Sequence, residues 1–471
     1  MRRSTFSSSL LCALVLAPLA TLASGQAPSP AAYVSRLGTA RIPADAATAI
    51  VLPLDGGTLR FAANDAKPMN PASTMKLVTT YAALHLLGPA FTFRTEVLAD
   101  DPVSNNGVLR GDLYIRGGGD PKLVIEDLWL LANRLRAFGL REIGGDIVLD
   151  RTLFEPVAHD PAQFDGEEGR AYNVGPDALL VNFKSIAVTL VPDAAANVAR
   201  VVIVPEVAGL RAPRTVPGIA GPCGDWRGRL RADLSDPMHI KLAGAFPLEC
   251  GERAIYLGAL DHTNYFAAVF RALWERQGGV WTGKARDGAA PATARVLVAQ
   301  DSPPLALLIR DINKFSNNVM TQQLFLTMGA AGGEPGNFAR GATAVRGLLA
   351  ARGIDAPELV LENGCGLSRI ERISARSLAN VLADAWRSQW MPELMASLPI
   401  AGVDGTMQRR NVPVGSAHMK TGLLGDTRAV AGYVLAASGK RYVVVAIINH
   451  PNAARGTGAH DALLEWVYRT G

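Results

Sequence analysis

The sequence predicts a mixed α/β protein in which helices pack on an antiparallel sheet, with this body split by a long β-rich insertion. Apolar residues at helical spacing fill residues 74–87 near the start and 305–313, 319–328, 338–352 and 374–389 towards the end. Strand-like runs flank the helices at both ends of the chain: residues 50–54 and 58–61, then 417–421, 429–436 and 442–448. From about 150 to 300 helical periodicity fades into short β-branched runs punctuated by Gly and Pro.

Each element follows from its local chemistry. Residues 26–46 are Pro/Ala-rich and read as a loose lead-in. Asp55-Gly56-Gly57 between two apolar runs is a hairpin turn. Pro71 precedes the helix 74–87, which Gly88-Pro89 closes. Residues 108–116 alternate as a strand and end in Gly117-Gly118-Gly119-Asp120-Pro121. Ile125, Leu128, Leu131 and Leu135 mark a helix over 125–138. Runs such as 186–191 and 201–204 are the short strands of the insertion. Pro303-Pro304 opens the return of the helices. The end is strand, strand, the turn Ser438-Gly439-Lys440, strand, and a helix to Tyr468.

Composition narrows the function. The chain has 471 residues, 49% of them hydrophobic, enough for a sizeable core. A net charge of +5 with no run of five Lys or Arg disfavours a nucleic-acid binder. Met1-Arg2-Arg3, an apolar stretch over 10–22 and Ala23-Ser24-Gly25 form the pattern of a secretory signal peptide over residues 1–25. The alternative is a membrane anchor, for which the stretch is short. Cleavage removes Arg2, Arg3 and Cys12, and no later segment is apolar enough for a transmembrane anchor. Of the remaining cysteines, Cys223 and Cys250 are the expected disulfide and Cys365 the free thiol; the alternative is three buried thiols.

The seven histidines are scattered and none pairs at ligand spacing, so no metal is expected; no cofactor motif is present. Three short motifs remain, in order. Ser73-Thr74-Met75-Lys76 is Ser-x-x-Lys at the start of a helix, where i,i+3 spacing puts hydroxyl and amine on one face. A partly desolvated lysine loses its proton readily and can activate such a hydroxyl. Ser316-Asn317-Asn318 falls in a break between two helices, where a turn can hold a hydroxyl and an amide towards a cleft. Ser104-Asn105-Asn106 has the same pattern but sits in an ordinary turn. Lys420-Thr421-Gly422 ends a strand; Gly422 lets a substrate backbone approach the edge, and Lys420 offers charge to a carboxylate. Singly, each has an ordinary structural explanation: a capping serine, a capping turn, a surface strand end. Together and in this order they match the set used by penicillin-binding proteins and β-lactamases.

On these motifs the chain resembles the D-alanyl-D-alanine carboxypeptidases/endopeptidases of the low-molecular-mass class C penicillin-binding proteins. Gly111-Asp112-Leu113-Tyr114-Ile115-Arg116-Gly117-Gly118-Gly119-Asp120-Pro121, Gly366-Leu367-Ser368-Arg369 and Ala401-Gly402-Val403-Asp404-Gly405-Thr406 extend the resemblance over nearly all the chain after the signal. Ser73 and Ser316 stand 243 residues apart, an interval that in this family holds two extra domains, one nested in the other. The resemblance therefore implies an α/β (α+β) catalytic domain of the serine transpeptidase/β-lactamase type over 32–95 and 298–471, and two inserted β-rich domains over 96–297, the nested one about 176–247.

It also implies roles. Ser73 is the nucleophile, Lys76 the base, Ser316 and Lys420 the route to the leaving amine, and Asn318 the amide contact. Thr421 and Lys420 hold the terminal carboxylate, Gly422 lets the substrate backbone lie along the strand, and the backbone N–H groups of Ser73 and Leu423 form the oxyanion hole. Arg369 lies near the stem-peptide side chain, and Tyr172 falls in the same approach region by rough position. The implied partners are peptidoglycan stem peptides and β-lactams, the latter as covalent inhibitors; the implied location is the periplasm, and a homodimer is compatible with the resemblance. Two departures stand out: Leu423 replaces the usual Ser or Thr after Lys-Thr-Gly, and Gly364-Cys365-Gly366 replaces Gly-Ser-Gly. The competing functions are a β-lactamase or esterase on the same fold, and a cell-wall-binding protein with a degenerate site.

Overall fold

Residues 30–156, 158–410 and 412–471 are described by this computed structural model, so the signal segment 1–25 lies outside the described residues. Two parts of the chain far apart in sequence build one five-stranded antiparallel sheet, in the order Phe61–Ala63, Ala47–Pro53, Arg441–Asn449, Thr427–Leu435, Ala417–Leu424. The N-terminal strand is zipped onto Arg441–Asn449 from Ala47 opposite Ile448 to Pro53 opposite Tyr442. Alternation explains why the run from Tyr442 to Ile448 is apolar at every position. Val443, Val445 and Ile447 face one core and Tyr442, Val444, Ala446 and Ile448 the other.

The second of those cores corrects the expectation of a loose lead-in at 26–46. Ala31–Thr39 is a helix that places Tyr33 and Leu37, one turn apart, against the sheet and beside the C-terminal helix Thr457–Thr470. On the opposite face lies the helix Lys76–Leu86, buried from Lys76 through Leu84 because helices Leu305–Phe315, Asn318–Ala330, Phe338–Ala351 and Ala375–Arg387 surround it. Between Lys76 and His85 its sequence is mostly apolar or small, as an enclosed helix requires.

The intervening chain leaves and re-enters through two strands that pair antiparallel, Arg94–Ala99 and Arg295–Asp301. They belong to a five-stranded sheet ordered Ala285–Asp287, Ile147–Asp150, Leu113–Arg116, Arg94–Ala99, Arg295–Asp301, whose first three strands run parallel. The single strand expected over 108–116 is two: Val108–Leu109 pairs in a separate three-stranded sheet, and Leu113–Arg116 in this one. The insertion is also less uniformly β than expected. His262–Arg276 is a helix burying Tyr265, Phe266, Val269, Phe270 and Trp274. Its aromatic, β-branched text resembles strand, but spacing of three to four puts those side chains on one face, where Phe266, Phe270 and Trp274 stack in turn.

A further five-stranded sheet runs in the order Phe246–Pro247, Thr215–Ile219, Val198–Val204, Ile186–Asp193, Arg253–Leu257. It extends past residue 247 because Arg253–Leu257 pairs with Ile186–Asp193. Cys223 and Cys250 form a disulfide beside this sheet, as the sequence suggested, and Cys365 is a buried free thiol. Among the described residues no helix is long and apolar enough to cross a membrane.

Candidate active site

The three motifs converge where the edge strand Ala417–Leu424 meets the ends of the helices. At the first, Ala72 takes a left-handed backbone (φ 45°) and Ala72–Met75 forms a 3-10 turn that runs into the helix Lys76–Leu86. The entry is tighter than the α-helical start expected at residue 74. Asn70 fixes it: its Oδ1 accepts from the Ala72 N–H at 2.9 Å, and its Nδ2 donates to the Ser368 carbonyl at 2.8 Å. Gly366 packs so closely that a Cβ there would stand 1.9 Å from the Ala72 carbonyl oxygen, so only glycine closes this contact. Lys76 Nζ then donates to Ser73 Oγ at 3.0 Å, to Asn318 Oδ1 at 2.7 Å and to the Cys365 carbonyl.

The second motif is a helix junction. Ser316 ends the helix Leu305–Phe315 in the left-handed region (φ 58°), and Asn317 caps the next helix by accepting from the Met320 N–H at 3.0 Å. That division of labour leaves the Asn318 side chain free to meet Lys76, while its Nδ2 donates to the Tyr172 carbonyl at 3.1 Å. The look-alike Ser104-Asn105-Asn106 is a local turn in which Ser104 Oγ accepts from the Val108 N–H at 3.0 Å. The third motif lies on Ala417–Leu424. Lys420 Nζ donates to Ser316 Oγ and to the Thr421 carbonyl, both at 2.8 Å. Thr421 Oγ1 bonds Thr406 Oγ1 at 2.7 Å, and Gly422 lies against Pro71, where a Cβ would come within 2.6 Å of the carbonyl oxygen. Leu423 projects into solvent, 66% exposed.

Burial sets the electrostatics. Lys76 and Lys420 are both fully buried. Burial lowers the Lys76 ammonium below its usual value, opposed by the Cys365 thiol and the Glu371 carboxyl. Burial, joined by the cationic Lys76 nearby, drives Lys420 well below its usual value. Each lysine also lies within hydrogen-bond distance of a serine hydroxyl, so either can exchange a proton with its partner. Among the described residues no cluster of His, Cys, Asp or Glu has metal-site geometry.

Ser73, Lys76 and Asn318 thus form one hydrogen-bonded set and Ser316, Lys420 and the Thr421 carbonyl a second, near enough for the Lys76 charge to act on Lys420, with Gly422 and Leu423 on the same edge strand as Lys420. Arg369 stands outside both: its guanidinium stacks 4.2 Å over Phe164, donates to the Phe164 carbonyl and lies 3.9 Å from Asp426. It therefore marks where the segment around 164–173 meets the site. Tyr172 lies on that same segment; its hydroxyl donates to Asp165 at 2.8 Å, and burial together with Asp165 pushes the phenol up to about 12. Sequence reasoning missed Glu371, a fully buried carboxyl behind Lys76, and the Lys314–Asp404 pair (2.6 Å) that anchors the segment bearing Thr406. The segment Ala401-Gly402-Val403-Asp404-Gly405-Thr406 was a visible signal for Asp404, whereas Glu371 lies outside every segment the sequence singled out.

Two serine–lysine pairs facing one another across a helix-covered antiparallel sheet define the penicillin-binding, β-lactamase-like class of serine enzymes. The chain belongs to the D-Ala-D-Ala carboxypeptidase 3 (S13) family, which matches residues 34–470. It is 29% identical over 428 residues to a D-alanyl-D-alanine carboxypeptidase of Actinomadura sp. (strain R39), covering 85% of this chain and 77% of that one. It is 27% identical over 390 residues to the D-alanyl-D-alanine carboxypeptidase DacB of Haemophilus influenzae, covering 81% and 80%. The crystal structure of penicillin binding protein 4 (dacB) from H. influenzae shares the fold, with a TM-score of 0.77 at 24% identity over 93% of this chain and 99% of that one. The protein is accordingly a serine-type D-Ala-D-Ala carboxypeptidase, a hydrolase.

Proposed function

We propose that this carboxypeptidase is an exported DD-peptidase that works through a Ser73 acyl-enzyme, also cleaves D-Ala–diamino-acid cross-links, and is acylated by penicillin. The observation that carries the reading is the Lys76 ammonium bonded at once to Ser73 Oγ and Asn318 Oδ1, with the Ser316–Lys420 pair opposite. Lys76, deprotonated, takes the Ser73 proton as Oγ attacks the D-Ala carbonyl. The backbone N–H groups of Ser73 and Leu423 receive the oxyanion. Ser316 passes a proton to the leaving amine, with Lys420 holding the potential positive. Asn318 orients the substrate amide, and Lys420 and Thr421 seat the terminal carboxylate. Arg369, beside the site with Phe164 and Asp426, meets the stem-peptide side chain. Water then hydrolyses the ester.

Cross-link cleavage needs only that the leaving amine belong to a second peptide, and a predatory peptidoglycan endopeptidase of Bdellovibrio bacteriovorus has a similar fold (TM-score 0.50, 16% identity). Penicillin acylation is supported by the β-lactam complex of the H. influenzae protein (TM-score 0.72, 23% identity). Export rests on the signal pattern of residues 1–25 and places the enzyme in the periplasm. We assign the catalytic domain to 32–95 and 298–471 and the inserted domains to the chain between.

The test uses the mature chain with a fluorescent penicillin and a D-Ala-D-Ala-terminated stem peptide. Wild type forms a covalent adduct and releases D-Ala, and Ser73→Ala does neither. A Ser73→Ala protein that still releases D-Ala would overturn the acyl-enzyme. Cross-linked muropeptide dimers converted to monomers would establish the endopeptidase activity, and dimers left intact would remove it.

A further inference from the structure

Behind Lys76 lies a carboxyl that the mechanism above does not use. Glu371 is completely buried. Its Oε1 accepts three backbone N–H groups, from Glu362 at 3.1 Å, Asn363 at 3.0 Å and Gly364 at 2.7 Å. Three converging donors are the surroundings of an anion, and neutral side chains rarely gather them. Its Oε2 is buried without a partner among the described residues. A carboxylic acid would carry its proton on that oxygen with nothing to donate to; a carboxylate leaves no donor unpaired.

The turn so held is the one that touches the base. Gly364 is at φ 69°, its carbonyl accepts from Thr79 Oγ1 at 2.6 Å, and the next carbonyl, that of Cys365, accepts from Lys76 Nζ. The following residue, Gly366, packs on the carbonyl of Ala72, the neighbour of Ser73. Glu371 is fixed from its own side, where its N–H donates to Ser368 Oγ at 2.9 Å. One carboxylate therefore sets the position of a carbonyl on Lys76 and of the backbone behind the Ser73 hydroxyl.

We propose that Glu371 is the positioning residue and buried counter-charge of Lys76: it holds the 363–366 turn in register and with it the Cys365 carbonyl that Lys76 meets. The proposal rests on the reading of Lys76 as the base. The groups around Lys76 are few. Ser73 and Asn318 are neutral, the Cys365 thiol is pushed up by burial and stays protonated, and Lys420, driven well below its usual value by burial and Lys76, is bonded to Ser316. Among the described residues around Lys76, Glu371 is the carboxyl whose charge would raise the proton affinity of Lys76 against burial. Burial raises the Glu371 carboxyl itself, against the pull of the three N–H groups and Lys76, so its charge has to be tested.

The test is the pH profile of kcat/KM for the stem peptide in wild type, Glu371→Gln and Glu371→Asp. Gln keeps an oxygen for the three N–H groups and removes the charge. With the charge gone, Lys76 gives up its proton more easily, and the acid limb moves to lower pH by about one unit, a tenfold change in proton affinity. Glu371→Asp keeps the charge on a shorter stem, so its limb stays in place while its rate falls. A Gln profile that superimposes on wild type after scaling, with only thermal stability reduced, makes Glu371 merely structural and overturns the proposal. Should Gln fail to fold, the Asp variant decides: a displaced limb with the charge retained also overturns it. Lys76→Met in the same series separates the two ideas, because activity surviving that change refutes Lys76 as the base whatever Glu371 does.

Discussion

The site contains two serine–lysine pairs that look alike and are built differently. Ser73 and Lys76 sit three residues apart at one helix entry, so a single turn of backbone fixes their distance. Ser316 and Lys420 are 104 residues apart and meet only because a left-handed helix end faces an edge strand. The difference extends to charge. Lys76 has a buried carboxyl behind it and a carbonyl and an amide oxygen around it, whereas Lys420 has a hydroxyl, the Thr421 carbonyl and another lysine as its electrostatic neighbour. A lysine supported by an anion keeps a proton affinity useful to a base. One left without an anion is ready to receive one, and in the proposed function the terminal carboxylate of a D-Ala-D-Ala peptide supplies it. Similar residue pairs thus take unlike tasks because of what lies behind them.

The largest effect should come from breaking the first pair. Ser73→Ala or Lys76→Met is expected to lower kcat/KM for D-Ala release by about a thousandfold or more. The two changes together should cost little beyond either one, because hydroxyl and amine act as a unit. A double variant whose losses multiply would mean that the pair does not act as one. Stopped assays of D-Ala release on the purified variants decide it.

Breaking the second pair should separate activity from stability. Lys420→Met removes the carboxylate's counter-charge, and kcat/KM should fall about a hundredfold, a loss of about 2.7 kcal/mol. Folding should not suffer: replacing a buried, anion-free ammonium with an apolar stem of similar size is neutral or stabilising by about 1–4 kcal/mol. The pH dependence carries the sign. The folded chain holds the Lys420 proton less tightly than the unfolded one, so between the lowered value and the usual 10.5 the unfolded state binds more protons. In that window wild-type stability gains a contribution that rises with pH, and Lys420→Met lacks it. Urea melts of both proteins from pH 7 to 10 would show their stabilities converging towards alkaline pH. A constant gap, or a Lys420→Met protein less stable throughout, would mean that the lysine is adequately paired in the free enzyme.

The contrast between the pairs also explains what was legible in the sequence. The first pair could be read because its geometry is local: Ser-x-x-Lys on a helix face needs no knowledge of the fold. The catalytic sheet was legible for a related reason, since period-two burial leaves its mark on runs such as Tyr442 to Ile448. The second pair was legible only through motif order, because nothing in residues 316 and 420 says that they meet. Glu371 left no local mark at all. A glutamate between Ile370 and Arg372 looks like a surface residue, and only the closing of the 363–366 turn makes it a buried acceptor. The helix His262–Arg276 was hidden differently: its aromatic residues suit either a strand or a buried helix face, and tertiary packing decided between them. Ala31–Thr39 was masked by Pro and Ala neighbours, although Tyr33 and Leu37 already stood one turn apart.

The smallest expected change sharpens the comparison at the rim of the second pair. Leu423 follows Lys420-Thr421-Gly422 on the edge strand and is 66% exposed, so the apolar side chain gains little from burial in the free enzyme. A hydroxyl there would add one acceptor and donor beside the carboxylate seat that Lys420 and Thr421 make. A single such hydrogen bond is worth about 0.5–1.5 kcal/mol, or about two- to tenfold. Leu423→Thr should therefore raise the second-order rate of penicillin acylation within that range. The stem peptide, which the proposed function also seats on Asn318, should gain less. Threonine also suits an edge strand, so stability should change by no more than about 0.5 kcal/mol. Acylation rates measured with a fluorescent penicillin, set against D-Ala release by the same preparations, give the ratio directly. Equal gains for both substrates would place the new hydroxyl on a contact they share. No gain for either would show that Lys420 and Thr421 alone complete the carboxylate seat.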